Sequence, residues 1–168
     1  MGIRYYAYPL HPDHYEAAVK DPRPFLSDDP LGDAWGLVPN GDGTSTMGGK
    51  AVPPMLYLDK CWPHLQRLTT TPLGGHSPAH ALFAGEPTML DGGVGWEGFS
   101  KALSPAEMKV IAEDLKDATL FDDRDAFEPG VIEDMPSELH YAQHYLEKAK
   151  DFAQEMSDKG LGAVYLIA

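Results

Sequence analysis

The C-terminal third of the chain constrains the fold most, because it sets a long amphipathic helix directly before an apolar strand. Leu139, Ala142, Leu146, Ala149, Ala153 and Met156 recur at three- and four-residue intervals between positions 136 and 159, so a helix there has one apolar stripe and one polar face. Gly160 supplies the left-handed residue that commonly ends such a helix. Residues 163–168 are then almost wholly apolar, and a strand without polar alternation is covered on both faces. It is expected inside a sheet, which requires neighbouring strands on either side and packed layers above and below.

The rest of the chain supplies them. Tyrosine-rich residues 3–8, followed by Pro9, read as a strand that stops where the amide donor is lost. Residues 12–20 read as a short helix burying Tyr15, Ala18 and Val19, with Asp21-Pro22 as its stop. Ser104-Pro105-Ala106-Glu107 is a capping box opening a helix with Met108, Ile111, Ala112 and Leu115 inward. Ser77-Pro78 opens a shorter helix through Phe83 with Ser77 as its cap. Leu58, Trp62 and Leu65, with Cys61 and Leu68, trace a further stripe, and Asp59 is expected to cap that helix while Pro63 falls in its first turn. Six glycines and four prolines in residues 27–54 predict a long surface loop. The expected architecture is α+β: a single domain over 1–168, with a small mixed sheet that uses both chain ends and three or more helices packed on it.

At 168 residues, 43% of them hydrophobic, one domain with a substantial core is feasible. The 26 acidic and 13 basic residues give a net charge of -13, which opposes phosphate neutralisation and excludes nucleic acid as an expected partner. Residues 101–160 hold 15 acidic and 7 basic side chains, a charge that either serves solubility alone or complements a cation or a basic protein partner. One cysteine permits no internal disulfide, no apolar run reaches the roughly 20 residues of a membrane span, and Met1-Gly2-Ile3-Arg4-Tyr5-Tyr6 is not a signal sequence. A cytoplasmic location without membrane association is expected.

No catalytic constellation is complete. His140 and His144, with Glu147 and Asp151, share one helix face and form the best metal candidates, but an exposed face offers no second layer of hydrogen bonds to fix the imidazoles. No metal and no cofactor are therefore expected. His76 and His80 have the same spacing, though the Ser77-Pro78 start leaves His76 outside the helical register, and His11 and His14 straddle another helix start. Gly93-Val94-Gly95-Trp96-Glu97-Gly98 satisfies a dinucleotide-site pattern but lacks the preceding strand and the helix that must follow directly. Cys61 beside His64 lies on a buried stripe, which favours packing over nucleophilic use. Asp122-Asp123-Arg124-Asp125 through Glu128 lacks the ligand order of a calcium loop.

Asp59-Lys60-Cys61-Trp62-Pro63-His64-Leu65, with Leu68-Thr69, resembles the central motif of the YfbM-like bacterial proteins of unknown function. Met1-Gly2-Ile3-Arg4-Tyr5-Tyr6, the stretch from Gly95 to Glu107 and the C-terminal helix and strand are similar as well, so the resemblance covers most of the chain. Pro63 and Gln66 stand where that family often carries histidine. The resemblance implies no activity, but it singles out Asp59, Lys60, Trp62, Trp96 and Glu97 as candidate ligand-binding residues. The leading expectation is a non-enzymatic binding or interaction module with an acidic surface. The alternative is a small enzyme or small-molecule-binding protein with a cleft near Asp59, Trp62 and Trp96.

Overall fold

The structure is a computed structural model and describes residues 2–48, 50–51, 53–120 and 135–168, with side chains in the last stretch described from His140 onward. In chain order it holds β1 (Tyr5–Leu10), α1 (Tyr15–Lys20), α2 (Pro30–Trp35), β2 (Leu37–Pro39), β3 (Ser45–Met47), β4 (Leu56–Asp59) and α3 (Trp62–Leu68). There follow β5 (Thr88–Met89), β6 (Trp96–Glu97), β7 (Phe99–Leu103), α4 (Pro105–Leu115), α5 (Met135–Lys159) and β8 (Gly162–Ile167). Short 3-10 helices occupy Pro12–His14, Arg23–Phe25 and Pro78–Leu82.

The fold is α+β, and its four-stranded sheet has the order β4-β1-β8-β7, so strands from both ends of the chain are its centre. All three pairings are antiparallel, where the sequence suggested a mixed sheet. The reason is the connection between β7 and β8. A single crossover helix would return the chain parallel, but two helices, α4 and α5, intervene and bring it back in the opposite direction.

Alternation along the two central strands divides the core. Tyr5 and Ala7 join Ala163, Tyr165 and Ile167 on one face, under Leu65, Leu82, Met108, Ile111, Leu146 and Met156. Tyr6, Tyr8 and Val164 face the other way, against Phe25, Leu26, Leu31 and Ala34. The apolar strand is thus interior and covered on both sides. Pro9 does not end β1, which runs on to Leu10. Arg4 and Ala168 exchange both backbone hydrogen bonds, so alternation turns the nitrogen of Pro9 away from β8 and toward β4. Pairing with β4 reaches only Ala7, and no donor is required of Pro9 there.

The capping box forms as expected: Ser104 Oγ accepts from Glu107 N at 3.1 Å, and the Glu107 carboxylate accepts from Ser104 N at 2.7 Å. All four apolar positions of α4 are buried. In α5, Ala142, Leu146, Ala149, Ala153 and Met156 are buried as expected, while the side chain of Leu139 lies outside the described residues. Gly160, at φ 65°, ends the helix, with Leu161 N donating to Met156 O at 2.9 Å.

Three further expectations are corrected. Residues 27–54 are not one loop: Asp29 accepts from Gly32 N at 2.9 Å to cap α2, left-handed Gly36 ends it, and β2 pairs with β3 as a hairpin. The glycines and prolines there punctuate short elements rather than abolish them. Val19 is 56% exposed, because α1 is short and buries only Ala18. Leu58 and Asp59 belong to β4, not to α3, whose cap position is Cys61.

Tyr5 and Tyr165 stack at 5.2 Å in the core, Tyr5 donating to Leu82 O at 2.7 Å and Tyr165 to Ala84 O at 2.6 Å. Burial pushes both phenols well up, so each stays neutral in the folded state at pH values where an unfolded tyrosine ionises. The raised folded value means that this contribution is complete below about pH 10, the ordinary tyrosine value, and is lost as the pH rises beyond it. Alkaline unfolding followed by circular dichroism is expected to begin near there. Tyr165→Phe, which leaves the Ala84 carbonyl without its donor, is expected to lower stability by about 1 to 3 kcal/mol in urea titrations.

Candidate functional site

The most constrained residue in the molecule stands at the end of edge strand β4. Tyr5 pairs with Asp59 and Tyr6 with Tyr57, so the register slips by one residue and Leu58 is the extra residue of a bulge. Asp59 emerges from it at φ 47°, the only non-glycine residue with positive φ among the described residues. Aspartate tolerates this region better than most residues because its short polar side chain bonds locally.

Three donors from three elements meet on its carboxylate. Arg4 Nε donates to Oδ1 at 3.0 Å, Tyr57 Oη donates to the same oxygen at 3.0 Å, and Tyr141 Oη, from α5, donates to Oδ2 at 2.7 Å. Arg4 also donates through Nη1 to Gly2 O at 3.1 Å. The β-sheet thus supplies Arg4, Tyr57 and Asp59, and the first described turns of α5 supply the third donor.

Aromatic rings extend outward from this centre. Tyr6 stacks on Tyr57 at 5.4 Å, Tyr57 meets Tyr145 edge-on at 6.5 Å, and Tyr145 meets Tyr141 edge-on at 4.9 Å. His144 packs edge-on to Tyr145 at 5.2 Å, and Lys148 Nζ lies 5.3 Å from that ring's centre. Tyr141 and Tyr145 sit four apart on one helix and so share a face.

Partial burial works against the Asp59 charge, but the hydrogen bonds from Tyr141, Tyr57 and Arg4 outweigh it and hold the carboxyl below the usual range. Burial and the adjacent carboxylate push Tyr57 up to about 12, and the same two causes raise Tyr141. Near neutral pH the site is therefore a fixed carboxylate ringed by protonated phenols. A general base works best with a pKa near the operating pH and a proton to accept within reach, and Asp59 meets neither condition while its donors stay in place. The arrangement suits recognition and anchoring better than proton transfer.

The structure gathers part of the sequence-derived set and disperses the rest. Asp59 is not a helix cap, because the bulge turns its side chain to Arg4 and the tyrosines. Lys60 is exposed beside Gly2. Trp62 is 8% exposed in the main core, its indole N–H donating to Ile3 O at 3.4 Å. Trp96 and Glu97 lie elsewhere. Asp59, Tyr5, Ile167 and Phe99 form one row across the sheet, so Phe99 stands three strand spacings, about 14 Å, from Asp59, and β6 immediately precedes it on the far edge. Asp59 and Trp96 thus belong to opposite edges of the sheet.

His140 and His144 are exposed on α5, and among the described residues no three histidine, cysteine, aspartate or glutamate side chains are grouped to hold a metal ion. Cys61 is fully buried, and burial followed by the Asp59 charge pushes its thiol up to about 12, which removes it as a nucleophile. The acidic stretch from Asp122 to Glu128 lies outside the described residues. No helix among the described residues is long and apolar enough to cross a membrane. No model of a known protein family, no curated protein and no solved structure matches the chain.

Arg4, Tyr57, Tyr141 and Tyr145 are the members that sequence reasoning missed. The i, i+4 pair Tyr141 and Tyr145 was a readable signal, but it lay beside the apolar stripe rather than in a motif. Asp59→Ala leaves three donors without their acceptor and puts a Cβ residue without a polar group at positive φ. It is expected to cost about 2 to 3 kcal/mol, against about 1 kcal/mol for loss of a simple cap. Because the folded carboxyl is held low, its contribution is present above about pH 3.9 and is lost as the pH falls through the folded value, so the gap between wild type and Asp59→Ala should narrow in strong acid to the part set by alanine at positive φ. Trp62→Ala, which empties a core position, is expected to cost roughly 3 to 5 kcal/mol in the same titration.

Proposed function

We propose that this chain is a bacterial, cytoplasmic, YfbM-like protein that acts as a non-enzymatic binding or protein-interaction module, its acidity directed at a basic protein partner. The observation that supports this reading is the state of Asp59, the one strained polar residue among the described residues, whose carboxylate accepts from Arg4, Tyr57 and Tyr141 and is held charged. Strain concentrates at functional sites, and here it orders tyrosine and lysine side chains at a surface rather than preparing a proton acceptor.

The acidity is unevenly usable. Six acidic and one basic residue fall between 121 and 134, outside the described residues. On the exposed face of α5, Glu147 pairs with Lys150 at 3.2 Å and Glu155 with Lys159, which leaves Asp151 and Asp158 less neutralised. Such exposed pairs contribute about 0 to 1 kcal/mol each and yield readily to a competing cation, so the face remains available to a lysine- or arginine-bearing partner. The alternative reading, a small enzyme or small-molecule-binding protein, draws on the same left-handed Asp59 and the tyrosines around it, without Trp96.

The test is a pull-down from the native cell against a charge-matched control, followed by association kinetics on the recovered partner. Screening lengths fall from about 10 Å at 0.1 M salt to about 3 Å at 1 M, so the association rate should fall steeply over that range while dissociation changes little. Reversing Glu147, Asp151 and Glu155 to lysine should lower the same rate. Turnover of a small molecule by the wild type, abolished in a folded Asp59→Asn variant, would replace this reading with the enzymatic one.

A further inference from the structure

We propose that residues 70–77 form a proton-released latch, held shut by the face-to-face stacking of His76 on His80 and opened when both imidazoles carry a proton. The two rings lie 3.8 Å apart and 9° from parallel. His76 belongs to the loop, where it bridges to Thr70. His80 belongs to the 3-10 helix Pro78–Leu82 and is rooted in the body of the protein. Within the loop, Thr71 N donates to Gly75 O at 2.7 Å, Gly74 N to Thr71 O at 2.9 Å and Gly75 N to Thr71 Oγ1 at 3.0 Å, while its ends are tied to the last turn of α3 by Thr70 N to Arg67 O at 3.1 Å, Thr70 Oγ1 to Gln66 O at 2.8 Å and Ser77 N to Thr69 O at 2.8 Å. Thr70 to His76 are exposed, and the ring stack joins the loop to the 3-10 helix.

The root of the latch is a buried hydroxyl. Thr69 is 4% exposed, and its hydroxyl donates its single hydrogen to the carbonyl of Leu65 at 2.8 Å or of Gln66 at 3.0 Å. Thr69 Oγ1 also lies 2.9 Å from His80 Nδ1, the contact that ties the ring to the end of α3. The charged groups around the stack do not rescue a doubly protonated pair. Lys101 of β7 adds a further positive charge, Arg67 of α3 is turned to His64 at 3.1 Å, and Asp114 of α4 already accepts from Ala79 N at 2.7 Å. Burial first, and then His76 and Lys101, hold His80 below the ordinary histidine value. A lowered folded value means that the neutral ring's contribution is present above about pH 6.5 and is lost as the pH falls through the folded value. Like charges one ring thickness apart then leave the loop without its stack, held by its turn bonds and by the Thr70 and Ser77 bonds at its ends.

Amide hydrogen exchange of the full chain at pH 7.5 and 5.5, corrected for intrinsic rates, tests this. The protection of the Thr71 and Ser77 amides should fall at least about tenfold at the lower pH, while amides of α4 keep theirs, the pattern of a local opening. His76→Phe retains a stacking ring without the second charge and should keep the loop protected at pH 5.5. Unchanged protection in the wild type, equal loss in His76→Phe, or simultaneous loss throughout α4 would each overturn the latch.

Discussion

The pairing of the first strand with the last is the constraint on which the molecule rests. β1 and β8 lie side by side at the centre of the sheet, and each has only one further neighbour, so neither half of the sheet exists without that seam. Tyr5 and Tyr165 carry it into the third dimension. Their hydroxyls reach the carbonyls of Leu82 and Ala84, and Gln66 Nε2 reaches those of Phe83 and Gly85 at 2.6 and 2.8 Å, so the segment after the 3-10 helix is fastened from the sheet and from α3 together. Buried carbonyls outside regular structure need such donors, and the chain supplies them from side chains that already fill the core. A seam joining the two ends also carries the largest loop-closure entropy in the chain, which points to a folding transition that is cooperative and slow for a molecule of this size.

Elements whose signals are local were readable in the sequence. The capping box at Ser104, the stripes of α4 and α5, the Gly160 stop and the interior position of residues 163–168 each follow from residues within a few positions of one another, and each forms. The misreadings share a cause. Leu58, Trp62 and Leu65 are all buried, as their spacing demanded, but burial at Leu58 is satisfied by β4, and periodicity alone does not separate a strand end from a helix start. Pro9 looked like a strand end because its missing donor matters only if a partner faces it, and which strand faces it is a property of the sheet. The antiparallel order likewise depends on how many helices join β7 to β8.

The site shows the same division. Trp62 was expected in the core from its spacing and lies there, whereas Asp59 was expected as a helix cap and is instead a carboxylate hub. Arg4, Tyr57 and Tyr141 are 55, 2 and 82 positions from Asp59, and two of those separations are beyond any local rule. What links them is the bulge at Leu58, which rotates Asp59 out of the strand's alternation and toward α5. Without that extra residue, alternation would send the carboxylate to the opposite face and the three donors would lose their common acceptor.

α3 ties the two polar centres of the molecule together. It begins just after Asp59 and ends at Thr69, the hydroxyl that positions His80. Both centres favour one ionisation state, but over separate ranges of pH: the contribution of neutral His80 begins to be lost below about pH 6.5, that of charged Asp59 only below about pH 3.9. Mild acid therefore acts on the C-terminal end of α3 while the carboxylate at its N-terminal end still anchors β1, β4 and α5. The helix between them is short, and Trp62 and Leu65 pack it into the core, so the response at one end is insulated from the other by apolar contacts that do not titrate.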